Sequence, residues 1–232
     1  MTTTQRPISS PSDEPLELHN GDRMTQEEFH RAYERTPENF KAELIGGIVY
    51  VASPLKLTHG KNHPPLSTIF FVYEGDTPGV ECGDNTTVLL GGDAEPQPDL
   101  FMRVLPEFDG QSRTSDDEYV VGPPELVAEI AVSTRAIDLH AKRNDYTRYG
   151  VKEYLVVCPR EKEVRWFDLA ANQELPLGPD GIIRIRQFPG MWIDVAALLD
   201  RKPTQLLATL QRGLESPEHA EFVARLAAAN KK

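Results

Sequence analysis

The segment from residue 125 to residue 158 constrains the fold of this chain more than any other. Its first part, ELVAEIAV, is rich in aliphatic residues and predicts a strand at 125–132. A helix is expected near 136–149, where Gly150 ends it, and a second strand follows at 153–158. Because strands joined by a helix are the repeating unit of α/β proteins, we expect a sheet covered by helices.

The flanking sequence adds further strands and helices to this unit. Thr25 and Glu28 form a capping box that predicts a helix, and two β-rich runs around Gly46-Gly47 predict a hairpin. LSTIFFVYEG is equally compatible with a buried helix and a buried strand. Other strands are expected in GVECGDNTTVLLGG, QPDLFMRV, EVRWFDL and the beginning of IIRIRQFPGMWIDVAALL.

Composition divides the chain into an arm, a main domain and a helical tail. Residues 1–22 are rich in Ser, Thr, Pro and acidic residues and are expected to form a flexible N-terminal arm. Residues 23–200 hold the predicted strands and helices. Residues 201–232 predict C-terminal helices, the last of which begins with Ser216 as its cap, and their apolar spacing is typical of packing or of a dimer surface.

Charge and hydropathy exclude some classes of protein. The net charge of −11 argues against non-specific adhesion to nucleic acid, because phosphate contacts need local positive charge. The segment from Arg135 to Arg165, however, contains eight Lys and Arg residues and only five Asp and Glu residues. This local excess of positive charge is compatible with phosphate binding. No apolar run approaches the roughly twenty residues that span a bilayer, and the N-terminus lacks the apolar core of a signal peptide. We therefore expect a cytoplasmic protein without a membrane span.

Two carboxylates lie where burial should be costly. Asp99 opens the strand of QPDLFMRV, and strand alternation places Glu129 in mid-strand on one face with Val127 and Ala131. An isolated buried carboxylate is unfavourable unless it is paired, hydrogen-bonded or bound to a metal. If Asp99 is considered by itself, backbone N–H groups of a turn could supply its hydrogen bonds. Two such carboxylates on separate strands, however, predict a divalent-metal site, because hard cations prefer oxygen ligands.

Lys142 has two interpretations. It lies four residues after Asp138, the spacing of an ordinary ion pair on a helix surface. It also shares a helical face with Tyr146 and Tyr149, and a face that packs on the sheet would carry Lys142 towards Glu129. The sequence leaves both open.

Other catalytic motifs are not supported. His59 and His63 have helical spacing, but Gly60 and the following Pro64-Pro65 weaken a helix there, which disfavours a zinc site. The sequence contains no GxSxG, Walker-type or GxGxxG motif.

The ordered segments AELIGGIVY, THG, QPDLFM and ELVAEIAVSTRAIDLHAKRNDYTRYGVKEYLVV resemble the Uma-two family of putative restriction endonucleases, a branch of the PD-(D/E)XK nuclease superfamily. The likeness runs from about residue 25 to about residue 200, and the tail LQRGLESPEHAEFVARLA is similar to one subgroup. The resemblance implies a restriction-endonuclease-like fold of class α/β or α+β, in which helices flank a mixed central sheet. It makes 23–200 an endonuclease-like domain with a C-terminal helical extension.

The resemblance also implies roles for individual residues. Asp99 of PD and Glu129 of EIA match the metal-binding carboxylates, with the backbone carbonyl of Ile130 beside them. Glu43 of ELIGG matches an acidic position that can approach the same metal. The superfamily places its Lys where this chain has Ala131, whereas the Uma-two family supplies a Lys from the next helix, here Lys142.

The implied function is an endonuclease that hydrolyses DNA phosphodiester bonds with Mg²⁺ or Mn²⁺. Lys142 would then direct the attacking water or stabilise the charge on phosphorus. Arg135 and Arg143 are candidate phosphate contacts, because the guanidinium group matches phosphate oxygens, and a solvated helix face is an equal alternative for Arg143. The C-terminal helices make a homodimer reasonable. A catalytically inactive oligomeric module that retains the fold is the alternative, favoured by the acidic charge and by Ala131. A hydrolase of small phosphoesters is a third possibility.

Overall fold

The computed structural model describes residues 17–54 and 56–230. Most of the arm predicted at 1–22 therefore lies outside the described residues. The strands are β1 (Ala42–Ile45), β2 (Ile48–Val51), β3 (Val80–Asp84), β4 (Val88–Leu89), β5 (Leu100–Val104), β6 (Arg113–Thr114), β7 (Val120–Val121), β8 (Leu126–Ile130), β9 (Glu153–Cys158), β10 (Glu163–Asp168), β11 (Gln173–Glu174), β12 (Ile182–Arg184) and β13 (Trp192–Asp194). The helices are α1 (Gln26–Tyr33), α2 (Leu57–Asp76), α3 (Arg143–Tyr149), α4 (Val195–Leu199), α5 (Pro203–Leu214) and α6 (Pro217–Ala229), with a 3₁₀ turn at Pro106–Phe108 and a π-helical segment at Ile137–Lys142.

A six-stranded sheet forms the centre of the molecule, in the order β11-β10-β9-β8-β5-β3. Strands β8 and β9 run parallel, and their neighbours pair antiparallel. The parallel pair is joined by the helical residues 137–149, since a parallel connection must cross back over the sheet. The sheet is therefore mixed and flanked by helices, as predicted.

The two faces of β8 belong to different cores. Leu126, Ala128 and Ile130 pack with α2, α4, α5 and α6, whereas Val127 and Ala131 pack with Leu139 and Tyr146. Glu129 alternates with the first set and so lies on the face covered by the helical residues 137–149. The predicted alternation places this carboxylate under the helix that carries Lys142.

That covering helix begins with a π-helical segment. Ile137–Lys142 has π-helical hydrogen bonding, Arg143–Tyr149 continues as α3, and Gly150 ends the helix with φ of 93°. A single helix at 136–149 and its stop were predicted, but the π geometry was not. The wider π turn changes which side chains share a face, so simple four-residue spacing fails here.

The hairpin β1–β2 lies against the same helix. Gly46 and Gly47 have φ of 57° and 73°, the positive values that a tight two-residue turn between antiparallel strands requires. The Gly46 N–H donates to Asp145 Oδ2 at 2.6 Å, which ties the turn to α3. The predicted hairpin is confirmed, and its attachment to α3 fixes the position of Glu43.

Helix α2 continues through two prolines that were expected to weaken it. It runs from Leu57 to Asp76 and includes Pro64 and Pro65. The two missing N–H groups would have bonded the carbonyls of residues 60 and 61, and both of these residues are exposed. Because water can bond those carbonyls, the helix continues, and its buried face packs on the sheet.

The C-terminal helices join the same core as α2. Leu206 and Leu210 of α5 and Phe222 and Leu226 of α6 are buried in it. Ser216 caps α6 by accepting a hydrogen bond from the N–H of residue 219 at 3.4 Å, as predicted. Among the described residues, no helix combines the length and apolar character that crossing a membrane requires.

Candidate active site

A cavity of about 660 Å³ opens at the edge of the sheet where β5 begins and β8 ends. The hairpin β1–β2, the beginning of α2 and the π-helical segment complete its walls. The lining includes the five residues assigned from the sequence to the metal and the water: Glu43, Asp99, Glu129, Ile130 and Lys142. Residues from four separate parts of the chain therefore converge on one space.

Both carboxylate oxygens of Asp99 accept hydrogen bonds. The Ile130 N–H donates to Oδ2 at 2.7 Å, and His59 Nε2 lies 3.0 Å from Oδ1. Burial raises the pKa of Asp99, but the hydrogen bond and charge of His59 and the Ile130 N–H outweigh this effect and lower the pKa. Asp99 is therefore held as a carboxylate at the cavity wall.

Glu129 is buried beside Asp99 and binds donors from the covering helix. Its Oε1 accepts hydrogen bonds from Lys142 Nζ and from the Tyr146 hydroxyl, each at 2.9 Å. Its Oε2 accepts a longer bond of 3.3 Å from the Asp99 N–H. Burial raises the pKa of Glu129, and the positive charge of Lys142 opposes that shift. Oε2 of Glu129 is therefore more weakly hydrogen-bonded than Oε1.

Lys142 is a buried cation in the cavity wall. Its Nζ lies 2.7 Å from Glu43 Oε1 and 2.9 Å from Glu129 Oε1, and only 6% of its side chain is exposed. Burial lowers its pKa, but the negative charges of Glu129, Glu43 and Asp138 outweigh burial and raise it well above the usual value. The ammonium is therefore charged even though it is buried.

The interpretation of Lys142 as half of a surface pair with Asp138 is wrong. Both residues are buried, and Asp138 Oδ2 accepts its hydrogen bond from Thr134 Oγ1 at 2.6 Å. The inward-facing alternative for Lys142 is the one that the structure shows. Tyr146, on the same face, reaches Glu129 as well.

Glu43 approaches the cavity from strand β1. Its Oε1 accepts a hydrogen bond from the Gln97 N–H at 2.7 Å in addition to the contact with Lys142. Backbone hydrogen bonds between Leu44 and Glu95 attach β1 to the chain segment that leads into Asp99. Gln97 was not predicted, because a backbone donor carries no sequence signature.

Ile130 and Ala131 occupy the end of β8. The Ile130 N–H points towards Asp99, and in an extended strand the carbonyl of the same residue points to the same side. Ala131 lies on the face of Glu129 and packs beside Leu139 and Tyr146. A lysine at position 131 would lie beside Glu129. In this chain Lys142 contacts Glu129 from the helix instead.

The donor set matches the chemistry of a hard divalent cation. Asp99 and Glu129 offer carboxylate oxygens, and Ile130 offers a carbonyl, the ligand types that Mg²⁺ and Mn²⁺ prefer. In the part of the chain that the structure describes, no three His, Cys, Asp or Glu side chains are arranged as a ligand set. Any cation at Asp99 and Glu129 would thus need water or substrate oxygens as its remaining ligands, as is usual for Mg²⁺.

The two predicted phosphate-binding arginines do not line the cavity. Arg135 forms an ion pair with Glu163 at 2.7 Å, and Arg143 donates to Asn172 at 3.0 Å and lies over the Phe167 ring. A phosphate contact from either arginine stays a prediction. Two lysines that the sequence analysis did not select, Lys41 and Lys56, lie in the cavity wall and are exposed.

His59 is the main site residue that the sequence analysis missed. It lines the cavity and contacts Asp99, yet it was set aside with His63 because a helix was not expected there. The residues THG were noticed only as part of the family likeness. A helix that continues through Pro64-Pro65 would have placed His59 on the inward face of α2.

The fold is that of a nuclease-like protein. A crystal structure described as a putative nuclease belonging to DUF820, from Anabaena variabilis ATCC 29413, matches with a TM-score of 0.58 and 12% sequence identity, covering 76% of this chain and 98% of that one. The model of the Uma2 family, described as putative restriction endonuclease, matches residues 26–196, and the chain belongs to that family. No curated protein matches significantly. The predicted family and fold class are confirmed.

Proposed function

We propose that this chain is a divalent-metal-dependent endonuclease that hydrolyses phosphodiester bonds of DNA. The observation that carries the proposal is the convergence of Asp99, Glu129 and Lys142 on one cavity, although 30 residues separate the first two and 13 the last two. Membership of the Uma2 family supports nuclease activity. Metal dependence rests on the chemistry of the donor set.

Asp99 and Glu129 are the residues that would hold Mg²⁺ or Mn²⁺, with the Ile130 carbonyl beside them and Glu43 able to approach. A bound divalent cation polarises a phosphate oxygen and lowers the pKa of a water molecule. The Ile130 N–H fixes one oxygen of Asp99, and Tyr146 orients Glu129, so both carboxylates are held before any substrate enters. Such preorganisation avoids reorganisation during the reaction.

Lys142 supplies the positive charge that the reaction needs. In the described structure its ammonium is held between Glu43 and Glu129, at the wall of the cavity. An Nζ–H directed into the cavity can donate to the attacking water or to a phosphate oxygen, on which negative charge grows. The negative charges of Glu129 and Glu43 raise the pKa of Lys142 and so favour its charged form.

The DNA backbone would be gripped at the rim of the cavity. Lys41 and Lys56 are exposed there, and they can pair with phosphate groups on either side of the scissile bond. The overall charge of −11 means that such binding depends on this local positive charge. Arg135 and Arg143 would contribute only to a longer DNA track, since neither lines the cavity.

The test is nicking of supercoiled plasmid by purified protein with Mg²⁺ or Mn²⁺. The wild type is compared with Asp99→Asn, Glu129→Gln and Lys142→Met, and with Lys202→Met as a matched control on an exposed lysine. We expect nicking by the wild type and the control, its loss on chelation by EDTA, and its loss in the three site variants. Equal nicking by all proteins would indicate a contaminant and reject the proposal.

A catalytically inactive module that retains the nuclease fold is the alternative. Two observations favour it: Ala131 stands where the superfamily has its lysine, and the ammonium of Lys142 is already engaged by two carboxylates. Calorimetric titration of Mn²⁺ separates the two functions. If the wild type binds no Mn²⁺ and Asp99→Asn changes nothing, the inactive module is the better description. Turnover of a small phosphodiester without any nicking would favour the phosphoester hydrolase.

We also propose that the protein is a homodimer, formed through α2 and α5. Phe71 of α2 is 71% exposed and Leu207 of α5 is 37% exposed, and these helices pack side by side. A contiguous apolar patch formed by these two side chains would mark an association surface. Light scattering during gel filtration should give twice the chain mass, and Phe71→Lys should give a monomer. A monomeric wild type would remove this part of the proposal.

A further inference from the structure

The carboxylate of Asp99 has a contact that the nuclease motif does not explain. His59, on the first turn of α2, places Nε2 at 3.0 Å from Asp99 Oδ1. The two side chains are 12% and 13% exposed, and both line the cavity. His59 therefore lies inside the proposed active site, although the motif residues come from the residue before β5, from β8 and from the covering helix.

His63 extends this contact by one helical turn. Its Nε2 lies 3.2 Å from the backbone carbonyl oxygen of Asp99 and 3.5 Å from Asp84 Oδ2. The two imidazole rings are stacked, with centroids 6.0 Å apart. One face of α2 thus contacts both the side chain and the main chain of Asp99.

The contact completes the restraint of the Asp99 side chain. The Ile130 N–H on β8 fixes Oδ2, and His59 on α2 fixes Oδ1, so donors from two elements hold the carboxylate plane. Without His59, Oδ1 would be bonded by water alone, and the carboxylate could rotate. A ligand that must meet a cation at a defined angle depends on such supporting hydrogen bonds.

Hydrophobic packing does not hold the part of α2 that carries His59. The buried hydrophobic residues of the helix, which are Leu66, Ile69, Phe70 and Tyr73, all follow the two prolines. The missing N–H groups of Pro64 and Pro65 leave the first turns with fewer internal hydrogen bonds. The contacts of His59 and His63 with Asp99 therefore attach this helix beginning to the site.

We propose that His59 is a positioning residue, whose Nε2–H donates to Asp99 Oδ1 and sets the orientation in which Asp99 meets the divalent cation. A neutral imidazole is sufficient for this hydrogen bond, so the role does not require a charged histidine. The inference rests on the proposed nuclease function, which it deepens by adding a residue from α2 to the site.

The test measures Mn²⁺ affinity directly, by electron paramagnetic resonance of free Mn²⁺, and plasmid nicking separately. The variants are His59→Ala, which removes the donor, and His59→Gln, whose side-chain amide can donate from nearly the same place. His19→Ala is the control, because the His19 side chain is 66% exposed. Thermal unfolding of each variant reports on folding.

For His59→Ala we expect a fall in Mn²⁺ affinity and in kcat of about 10- to 100-fold, the range found when supporting partners of metal ligands are removed. The KM for DNA should change by no more than about twofold, because the DNA contacts remain. His59→Gln should recover most of both losses, and His19→Ala should match the wild type.

The outcomes separate this inference from the nuclease proposal. If the wild type binds Mn²⁺ and nicks DNA, but His59→Ala does both equally well, His59 has no positioning role and the nuclease function stands. If His59→Ala lowers the unfolding temperature and His59→Gln recovers neither affinity nor kcat, the contact is structural. A wild type that neither binds Mn²⁺ nor nicks DNA rejects both.

Discussion

Two buried glutamates on neighbouring strands show how a structural carboxylate differs from a proposed catalytic one. Glu153 at the beginning of β9 accepts hydrogen bonds from Trp166 Nε1 and from the N–H groups of Arg186 and Gln187. Glu129, near the end of β8, accepts from the charged Lys142 and from Tyr146, and it lines a cavity. Both are buried, with exposures of 1% and 3%.

The difference lies in the partners and in the access to solvent. Fixed neutral donors surround Glu153, which is absent from the cavity lining, so the carboxylate stabilises the fold by satisfying backbone and indole N–H groups. Glu129 retains one oxygen with a single long hydrogen bond, beside a second carboxylate and a buried cation. Burial alone therefore does not identify a site, whereas a buried carboxylate that lines a cavity beside a second carboxylate and a buried cation is a candidate.

The largest expected effect is a loss of activity when Glu129 or its partner Lys142 is replaced. Glu129→Gln and Lys142→Met should each lower the rate of plasmid nicking by about 100- to 1,000-fold, the loss typical of removing a group that stabilises transition-state charge. Single-turnover assays measure the rate, and circular dichroism checks that each variant is folded. Exposed Glu107→Gln is the matched control. Unchanged rates in the folded variants would show that Glu129 and Lys142 have no catalytic role.

Replacing Glu153 is expected to lower the stability of the protein and to leave its activity unchanged. Glu153→Ala should lower the free energy of unfolding by about 3 kcal/mol, because buried donors lose their acceptor. Guanidinium unfolding measures the change, again with Glu107→Ala as control. Nicking per folded molecule should stay within about twofold of the wild type. A stable but inactive Glu153→Ala would show that this glutamate acts in the site, and the comparison would fail.

A smaller effect is expected at the rim of the cavity. The double variant Lys41→Ala/Lys56→Ala should raise the KM for plasmid DNA by about tenfold at moderate salt and leave kcat unchanged. The slope of binding against salt concentration should fall by about two, one for each lost phosphate contact. The parallel variant Arg135→Ala/Arg143→Ala tests the residues predicted from the sequence. If only that variant changes the KM, the DNA path runs along the arginines.

Much of this fold could be predicted, because its patterns are local. The alternation of β8, the glycine turn of the hairpin, the stop at Gly150 and the Ser216 cap each depend on residues close in sequence. The residues around Glu129 were identified through family likeness and through the cost of burying a carboxylate. Their meeting in space depends on the sheet order β9-β8-β5, which no local pattern contains.

The parts that could not be predicted depend on tertiary structure. His59 was set aside because Pro64-Pro65 opposes a helix, yet the helix continues through both prolines and packs on the sheet. Gln97 acts through its backbone N–H, and the π-helical segment changes the spacing that suggested an Asp138–Lys142 pair. Each miss concerns a contact between segments far apart in sequence or a backbone geometry without a residue signature.

The smallest expected effect is a pH dependence of stability that also follows from the comparison. Burial raises the pKa of Glu153 above its ordinary value of 4.5, although its three N–H donors oppose the shift. A carboxyl with a raised folded-state pKa contributes stability that is complete below the unfolded pKa and is lost as the pH rises through the folded one. The unfolding free energy of the wild type, relative to Glu153→Gln, should therefore decrease from about pH 4.5 upwards. Urea unfolding across this range measures it, and a difference that increases with pH would show that the hydrogen bonds outweigh burial.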